Sequence, residues 1–386
     1  MHLYSIDNLR NICILLLIPY HTLLIYSSLG FSYNLQGDVL PAVNPVLIFI
    51  NLWIMPLMFV AAGMASRYSL AKRTEMEYGK ERVLRLFIPF LCAFILLMPI
   101  QYYVRELSTG TYTGGFFSYV TTDLVPTMLG NTFDGGQLWF ILWLFGISLL
   151  ALPVMHWWTK KAEKTTVQRM DHMPVWLIVF VFFLPAFMFL AGNFLGTGLL
   201  SWLAETPVVD TFLISLVWMS AQRSYSFLMF FAFFILGYLV LSSPGVQNTL
   251  ERCRFPLTCA AVAGIVLFGV MLVFVPLNSV LSEFGNVLAA GPVILAMIGL
   301  GKHYLEKHNR VTEYLSASSF TVYIFHQSWL LLIGWFVLLW IPNPLVQILI
   351  IIALTFVTTY LSYEAVKRFR VTRFMFGIKE PGKKSS

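Results

Sequence analysis

The chain has 386 residues, of which 58% are hydrophobic and only 11% are charged. A soluble globular domain carries about 25% charged residues, and a single buried core does not account for a deficit of this size. The apolar residues also run on for about 20 positions at a time, which is the length that crosses a bilayer as a helix. The composition therefore excludes an ordinary soluble enzyme and predicts an all-α, polytopic integral membrane protein.

The net charge of the chain is +7, and a membrane-spanning architecture accounts for it. In a soluble protein, such a charge would suggest binding to nucleic acid. Here the basic residues lie in short loops between apolar segments, where they set the orientation of the helices in the bilayer. The sequence contains no RNA- or DNA-binding motif, so we expect no nucleic-acid partner.

Ten apolar segments alternate with polar loops and are predicted to be transmembrane helices of one single-domain bundle. These spans cover residues 7–28, 44–66, 83–103, 137–156, 174–193, 224–242, 257–276, 284–301, 317–340 and 344–368. The first is expected to stay in the protein, because it is longer than the apolar region of a typical signal peptide and no cleavage site follows it. Segment 194–223 is ambiguous, since Val208 to Met219 fits a short interfacial helix or a half-span.

The charge of the loops tests this count. Loops on the predicted inner side, together with Lys367 and Arg368 at the inner end of the last span and the basic tail 369–386, hold 21 of the 25 Lys and Arg residues, whereas the outer loops hold only Arg105 and Arg223. Short cytoplasmic loops carry such an excess of positive charge. The alternation predicts ten spans in the inner (plasma) membrane with both termini in the cytoplasm.

The outer loops differ in character from the inner ones. Segments 104–136 and 194–223 are the longest, and the outer face carries acidic residues such as Asp38 and Asp123. This polar surface could receive a hydroxyl-rich substrate, although ordinary solvated loops have the same composition. None of the four cysteines, Cys13, Cys92, Cys253 and Cys259, is predicted on this side, so we expect neither disulfides nor, from their spacing, a metal site.

Ionisable residues inside spans are costly and therefore indicate functional sites. Arg10 and His21 are separated by eleven positions on span 1, which places them on one face about 16 Å apart along the axis. A histidine at this depth can accept a proton from a hydroxyl near neutral pH, and an arginine at the inner end can bind phosphates. The alternatives are a snorkelling anchor for Arg10 and an interhelical hydrogen bond for His21.

Three further positions extend this pattern. His326 lies about nine residues into span 9, at a level that His21 could meet from the opposite direction, unless it only bridges two helices. Arg82 and Arg85 open span 3, three residues apart and on one side of a helix, where they could bind the phosphates of a nucleotide-bearing donor or merely anchor the span. Glu364, near the inner end of span 10, is expected to pair with a cation of the tail.

Gln137 and Trp139 open span 4 at the outer face. Both are predicted to line a substrate cavity with His326, although Trp139 fits the aromatic belt of a membrane interface equally well. The sequence shows no Gly-rich phosphate loop, nucleophile elbow or metalloprotease motif.

The order of these residues resembles the acyltransferase-three family of membrane O-acyltransferases. The resemblance is carried by short motifs spread over nearly the whole chain: Asp7-x-x-Arg10 with His21, Met58-Phe59-Val60-Ala61-Ala62-Gly63, Arg82-x-x-Arg85-x-x-x-Pro89, Leu138-Trp139-Phe140, Phe325-His326 and Tyr363-Glu364. The stretch from Ile18 to Ser28 is most similar to the osmoregulated periplasmic glucan succinyltransferases. The chain departs from that branch at Gln137, Ala62 and Gln327, where the corresponding residues of the branch are His, Ser and His, respectively.

The resemblance implies transfer of an acyl group, acetyl or succinyl, from cytoplasmic acyl-CoA to a hydroxyl of a glycan or other envelope acceptor on the outer side. It implies His21 as general base or covalent acyl carrier, Arg10 as a catalytic-site residue that orients the donor or holds the cavity, and Arg82 and Arg85 at the donor's phosphates. No metal is expected. Two other functions suit the composition: a transporter or flippase for a polar lipid or glycan, although no internal repeat supports it, and a scaffold of an envelope assembly. The sequence leaves the oligomeric state open.

Overall fold

The computed structural model describes residues 4–29, 35–125, 136–161, 171–204, 226–277 and 279–378, and these ranges contain helices but no β-strand. The predicted all-α fold is confirmed. The helices are α1 Tyr4–Leu24, α2 Asn44–Leu70, α3 Glu75–Arg82, α4 Ile88–Thr109, α5 Phe116–Tyr119, α6 Trp139–Leu150, α7 Leu152–Lys161, α8 Val175–Val181, α9 Leu184–Ala204, α10 Phe227–Leu236, α11 Pro244–Arg252, α12 Arg254–Phe274, α13 Val280–Tyr304, α14 Arg310–Trp340, α15 Pro344–Val366 and α16 Arg370–Met375.

Wide π-helical turns occur at Val83–Phe87, Val120–Leu124 and Gly237–Leu241. The ambiguous segment from Val208 to Met219 lies outside the described residues. All four cysteines are free.

Among the described residues, seven helices are long and apolar enough to cross a membrane, or up to nine if each of two bent helix pairs is one span. The prediction of a multi-pass membrane protein is confirmed, whereas the count of ten stays a prediction. Helix α1 is not among the seven, because Asp7, Asn8, Arg10 and Asn11 lower the mean hydropathy of its first half. The polar residues that indicate function thus also weaken the hydropathy signal of the helix that carries them.

The chain forms two compact units. The first comprises Met1–Arg10, Phe49–Lys80 and Trp143–Asn309, and the second comprises Asn11–Ile48, Glu81–Leu142 and Arg310–Ser386.

In the first unit, α2 and the turn after α10 approach until their backbones touch. A Cβ added to Gly63 would overlap the carbonyl oxygen of Phe234, and one added to Gly237 would overlap that of Val60. Small residues permit this kind of close helix contact in membranes. One turn after Ala62, the Ser66 hydroxyl donates to the Ala62 carbonyl at 2.8 Å. The Ala-Ala-Gly segment is therefore a packing site.

In the second unit, a buried cluster joins the end of α1 to α14 and α15. It comprises Ile25, Tyr26, Leu35, Val104, Leu330, Leu331, Val337 and Ile351. The hydroxyl of the fully buried Tyr26 donates to the side-chain carbonyl of Gln347 at 3.0 Å. On the other side of α14, the Trp329 ring nitrogen donates to the Ser362 hydroxyl at 2.8 Å. The first contact joins the segment after α1 to α15, and the second joins α14 to α15.

Helices α1 and α14 run parallel in the second unit. The Asn11 amide donates to the Ser316 hydroxyl at 2.9 Å. Ten residues further along both helices, the rings of His21 and His326 lie 5.3 Å apart. The two histidines therefore meet at one level, as expected, but they lie on parallel helices and do not approach each other from opposite directions. Helix α14 begins at Arg310, seven residues before the predicted span, so His326 lies 16 residues from its helix start and His21 lies 17 from its own.

Part of the basic tail packs against α14, within the second unit. The ring of Phe376, just after α16, is buried and lies 4.8 Å from that of Phe325. Gly377 has a φ of +67°, a left-handed conformation that glycine adopts at little cost. Glu364 pairs with Lys367 at 2.5 Å, which confirms the predicted pairing with a basic residue at this end of the chain, although Lys367 lies at the end of span 10 and not in the tail 369–386.

The orientation of the chain in the membrane that the loop charges predict can be tested. A reporter fused to the C-terminus is expected in the cytoplasm, and one inserted at Gly114 is expected outside, because only Arg105 and Arg223 break the inner bias of positive charge. Paired fluorescent-protein and alkaline-phosphatase fusions measure this directly. The opposite pattern of signals would refute both the count of spans and the assigned sides.

Candidate functional site

Two histidines lie together in the second unit. The rings of His21 on α1 and His326 on α14 have centroids 5.3 Å apart and planes inclined by 39°. His326 is buried, with 1% of its surface exposed, and the ring of Tyr20 meets His21 edge-on at 5.2 Å. Two imidazoles inside spans are costly to bury, and their side-by-side placement indicates a shared chemical role.

A backbone hydrogen bond fixes the orientation of His326. Its Nδ1 lies 2.7 Å from the carbonyl oxygen of Tyr323. A carbonyl oxygen only accepts hydrogen bonds, so Nδ1 carries the proton and Nε2 of the neutral ring keeps its lone pair. Among the described residues, the buried Nε2 has no hydrogen-bond partner. His326 therefore presents a proton acceptor that is free to bind a substrate hydroxyl.

Tyr323 connects this pair to the start of the predicted span 4. Its ring lies 5.9 Å from that of His326 and 5.6 Å from that of Phe140, and its hydroxyl donates to the backbone carbonyl of Gln137. Both amide atoms of the Gln137 side chain are buried without a hydrogen-bond partner among the described residues. Unpaired buried amides are rare and costly, so Gln137 is also available to a bound molecule.

Two members of this site, Tyr323 and Gln101, were not predicted from the sequence. Gln101 on α4 is fully buried, and its amide donates to the Ser328 hydroxyl at 2.8 Å. Its side-chain oxygen has no hydrogen-bond partner among the described residues and lies 4.0 Å from where a Cβ of Gly136 would be. We call His21, Gln101, Gln137, Tyr323 and His326 the histidine cluster. The available signal was a lone amide after an unbroken apolar run, Ile95–Ile100.

Trp139 lies next to Phe140, whose ring contacts that of Tyr323. It begins α6 two residues after Gln137, it is partly buried, and its ring contacts that of Phe140 at 6.3 Å. This position is compatible both with lining a substrate cavity and with membership of an aromatic belt.

The three predicted donor-site arginines are placed as follows. Arg10, in the first unit, pairs with Asp7 at 3.1 Å, so the Asp-x-x-Arg motif forms an ion pair within one helical turn. Arg82 and Arg85 are in the second unit, and Arg85 pairs with Glu81 at 2.9 Å. Arg85 lies in the π-turn Val83–Phe87, where the chain rotates less per residue than in an α-helix. That Arg10 adjoins Arg82 and Arg85 stays a prediction.

A family model described as an acyltransferase domain matches residues 3–364. The chain belongs to the acyltransferase-three family. This confirms the resemblance seen in the order of the motifs, and the matched range includes every predicted site residue. With its apolar helices, the chain is a membrane acyltransferase.

Individual relatives of this acyltransferase cover its full length. The glucans biosynthesis protein C of Salmonella typhimurium and that of Salmonella typhi are each 23% identical to it over 393 residues, which is 99% of this chain and 96% of theirs. No solved structure matches the chain.

Proposed function

We propose that this acyltransferase moves an acetyl or succinyl group from cytoplasmic acyl-CoA to a hydroxyl of a glycan on the outer side of the inner membrane. The observation that carries the proposal is the contact between the partly buried His21 and the buried His326 in a chain of this family. Acyl transfer to a hydroxyl requires a group that removes the hydroxyl proton, and a neutral imidazole is suited to that task. The glycan acceptor is suggested by the name of the two relatives.

The chemistry of O-acylation follows directly. The acceptor oxygen forms a bond to the acyl carbon, the bond from that carbon to the CoA sulfur breaks, and the hydroxyl proton leaves. His21 either takes that proton as general base or first carries the acyl group on a ring nitrogen. Arg10, near the opposite end of α1, orients the donor. The unpaired side-chain amide of Gln137 and the unpaired side-chain oxygen of Gln101 are available to acceptor hydroxyls.

The proposal is tested with purified protein in detergent. Acetyl-CoA or succinyl-CoA is supplied with a soluble glucan oligosaccharide, and the mass of the product is measured by mass spectrometry. Ester formation is expected, and the mass of the adduct identifies the acyl group. Movement of a glycan across reconstituted vesicles without covalent change would instead indicate the transporter. Comparing envelope glycans from cells with and without the protein extends the test to the natural acceptor.

The donor site gives a separate prediction. Arg85→Lys and Arg10→Lys are each expected to weaken CoA binding roughly tenfold, about 1.4 kcal/mol, because arginine's forked donors suit phosphates better than lysine's single ammonium. An arginine has five donors, so Arg85 can contact Glu81 and a phosphate together. Calorimetric titration of CoA into the purified variants measures this.

Two controls belong with that titration. Arg82→Lys is expected to matter less if Arg82 only anchors the helix, and Arg105→Lys, which changes an exposed arginine on the predicted outer side, should leave CoA binding as it is. If Arg10→Lys and Arg85→Lys both bind CoA like the unmodified protein, the donor site lies elsewhere.

A further inference from the structure

We infer that His326 is a catalytic residue with a role different from that of His21: its Nε2 removes the proton of the acceptor hydroxyl, while His21 carries the acyl group. This inference rests on the proposed function, and it decides between the two roles that the sequence leaves open for His21. The observation behind it is the fixed orientation of His326 beside a second imidazole in a buried site.

The orientation defines what His326 can do. Nδ1 is occupied by the Tyr323 carbonyl at 2.7 Å, as in sites where one ring nitrogen is held by a backbone acceptor so that the other is committed to chemistry. A purely structural histidine bridging two helices would use both nitrogens, because a buried polar atom without a partner is costly. Yet Nε2 has no hydrogen-bond partner among the described residues. His326 therefore has one free function, that of proton acceptor.

The distance between the rings fits two steps in succession. A hydroxyl hydrogen-bonded to Nε2 would have its oxygen about 2.7 Å away, and attack on a carbonyl carbon begins from about 3–3.5 Å. Ring centroids 5.3 Å apart are of the right order for a hydroxyl held by His326 to reach an acyl carbon bonded to a nitrogen of His21. Removing the single proton of the acceptor hydroxyl requires only one base, so a second imidazole at this distance is better explained by a different role.

The steps balance as follows. A His21 nitrogen attacks the thioester carbon, a C–N bond forms, the C–S bond breaks, and CoA leaves as a thiol with the proton released from the imidazole. The acceptor hydroxyl then attacks the acyl carbon, a C–O bond forms and the C–N bond breaks. The hydroxyl proton passes to His326 Nε2 and from there to the departing nitrogen of His21, which restores both neutral rings.

The deciding variant is His326→Asn. Asparagine can still donate a hydrogen bond to the Tyr323 carbonyl through its amide, but it offers no basic nitrogen. A structural role would therefore survive in His326→Asn, whereas a catalytic role would not. His326→Gln serves as the second variant, and the elution profile and melting temperature in detergent show whether either variant is folded.

Two reactions are measured on each protein. One is transfer from acetyl-CoA or succinyl-CoA to a soluble glucan oligosaccharide. The other is exchange of isotope-labelled CoA into the same acyl-CoA without acceptor, which requires only the acyl group to reach His21 and return. We expect folded His326→Asn to lose transfer by about 100-fold or more while its exchange rate stays within about twofold, and His21→Asn to lose both reactions.

Every other result overturns the inference. Normal transfer by His326→Asn would make His326 structural. Loss of exchange together with transfer in a folded variant would place His326 at the donor step. Transfer without any exchange in the unmodified protein would exclude an acyl carrier. If the unmodified protein transfers nothing to any glucan from either donor, the proposed function fails instead, and the two failures are thereby distinguished.

Discussion

His21→Ala is expected to abolish acyl transfer while leaving the protein folded in the membrane. Removing a general base costs about 10²–10⁴-fold in rate, and removing a residue that carries the acyl group eliminates the route altogether. The ring of His21 lies 5.3 Å from that of His326. Replacing His21 with alanine also removes the cost of placing two polar imidazole rings side by side inside the helices. We therefore expect amounts of protein in the membrane close to those of the unmodified chain.

The measurement is ester formation per mole of purified protein, with CoA binding followed on the same samples. His21→Ala should still bind CoA, because it acts on the acyl end of the donor and not on its phosphates. His172→Ala is the matched control, since it removes an exposed histidine far along the chain from the histidine cluster. Turnover of His21→Ala at the unmodified rate would remove His21 from the mechanism.

The fold could be predicted from sequence because its main signals are long and redundant. Apolar runs fix the existence of the helices, since a backbone inside lipid has to satisfy its own hydrogen bonds. Helix ends were harder to predict. α14 begins at Arg310 rather than at residue 317, because hydropathy marks where the apolar residues begin, whereas backbone hydrogen bonds continue through the polar turn before them. That error produced the wrong expectation about how His326 meets His21.

The histidine cluster was predicted in part for a related reason. His21 and His326 are conspicuous, because an ionisable residue in an apolar run has few ordinary explanations. Gln101 was missed because an uncharged amide costs less and stands out less. The roles of Tyr323 and of the backbone carbonyl that fixes His326 could not be predicted at all. A carbonyl is present at every position, and only the fold determines which one meets a given side chain.

Gly63→Val is expected to destabilise the protein more than any other change in its family motif. A side chain at Gly63 would overlap the Phe234 carbonyl and lie 3.0 Å from the Tyr238 nitrogen. Backbone atoms cannot move aside as a flexible side chain can, so α2 and the turn after α10 have to separate. Overpacking of this kind costs about 1–3 kcal/mol, and because Gly237 touches Val60 in return, the separation loses contacts on both sides.

Gly269 provides the comparison. It also lies within a helix, α12, but a Cβ there meets nothing within 4 Å. Gly269→Val therefore changes the same residue type without a clash. In detergent, Gly63→Val should melt several degrees lower or fail to elute as a single species, while Gly269→Val stays close to the unmodified protein. Gly63→Ala should fall between them, since one methyl group already reaches the Phe234 carbonyl. Equal melting temperatures for Gly63→Val and Gly269→Val would show that the family's glycine is kept for a reason other than this close backbone contact.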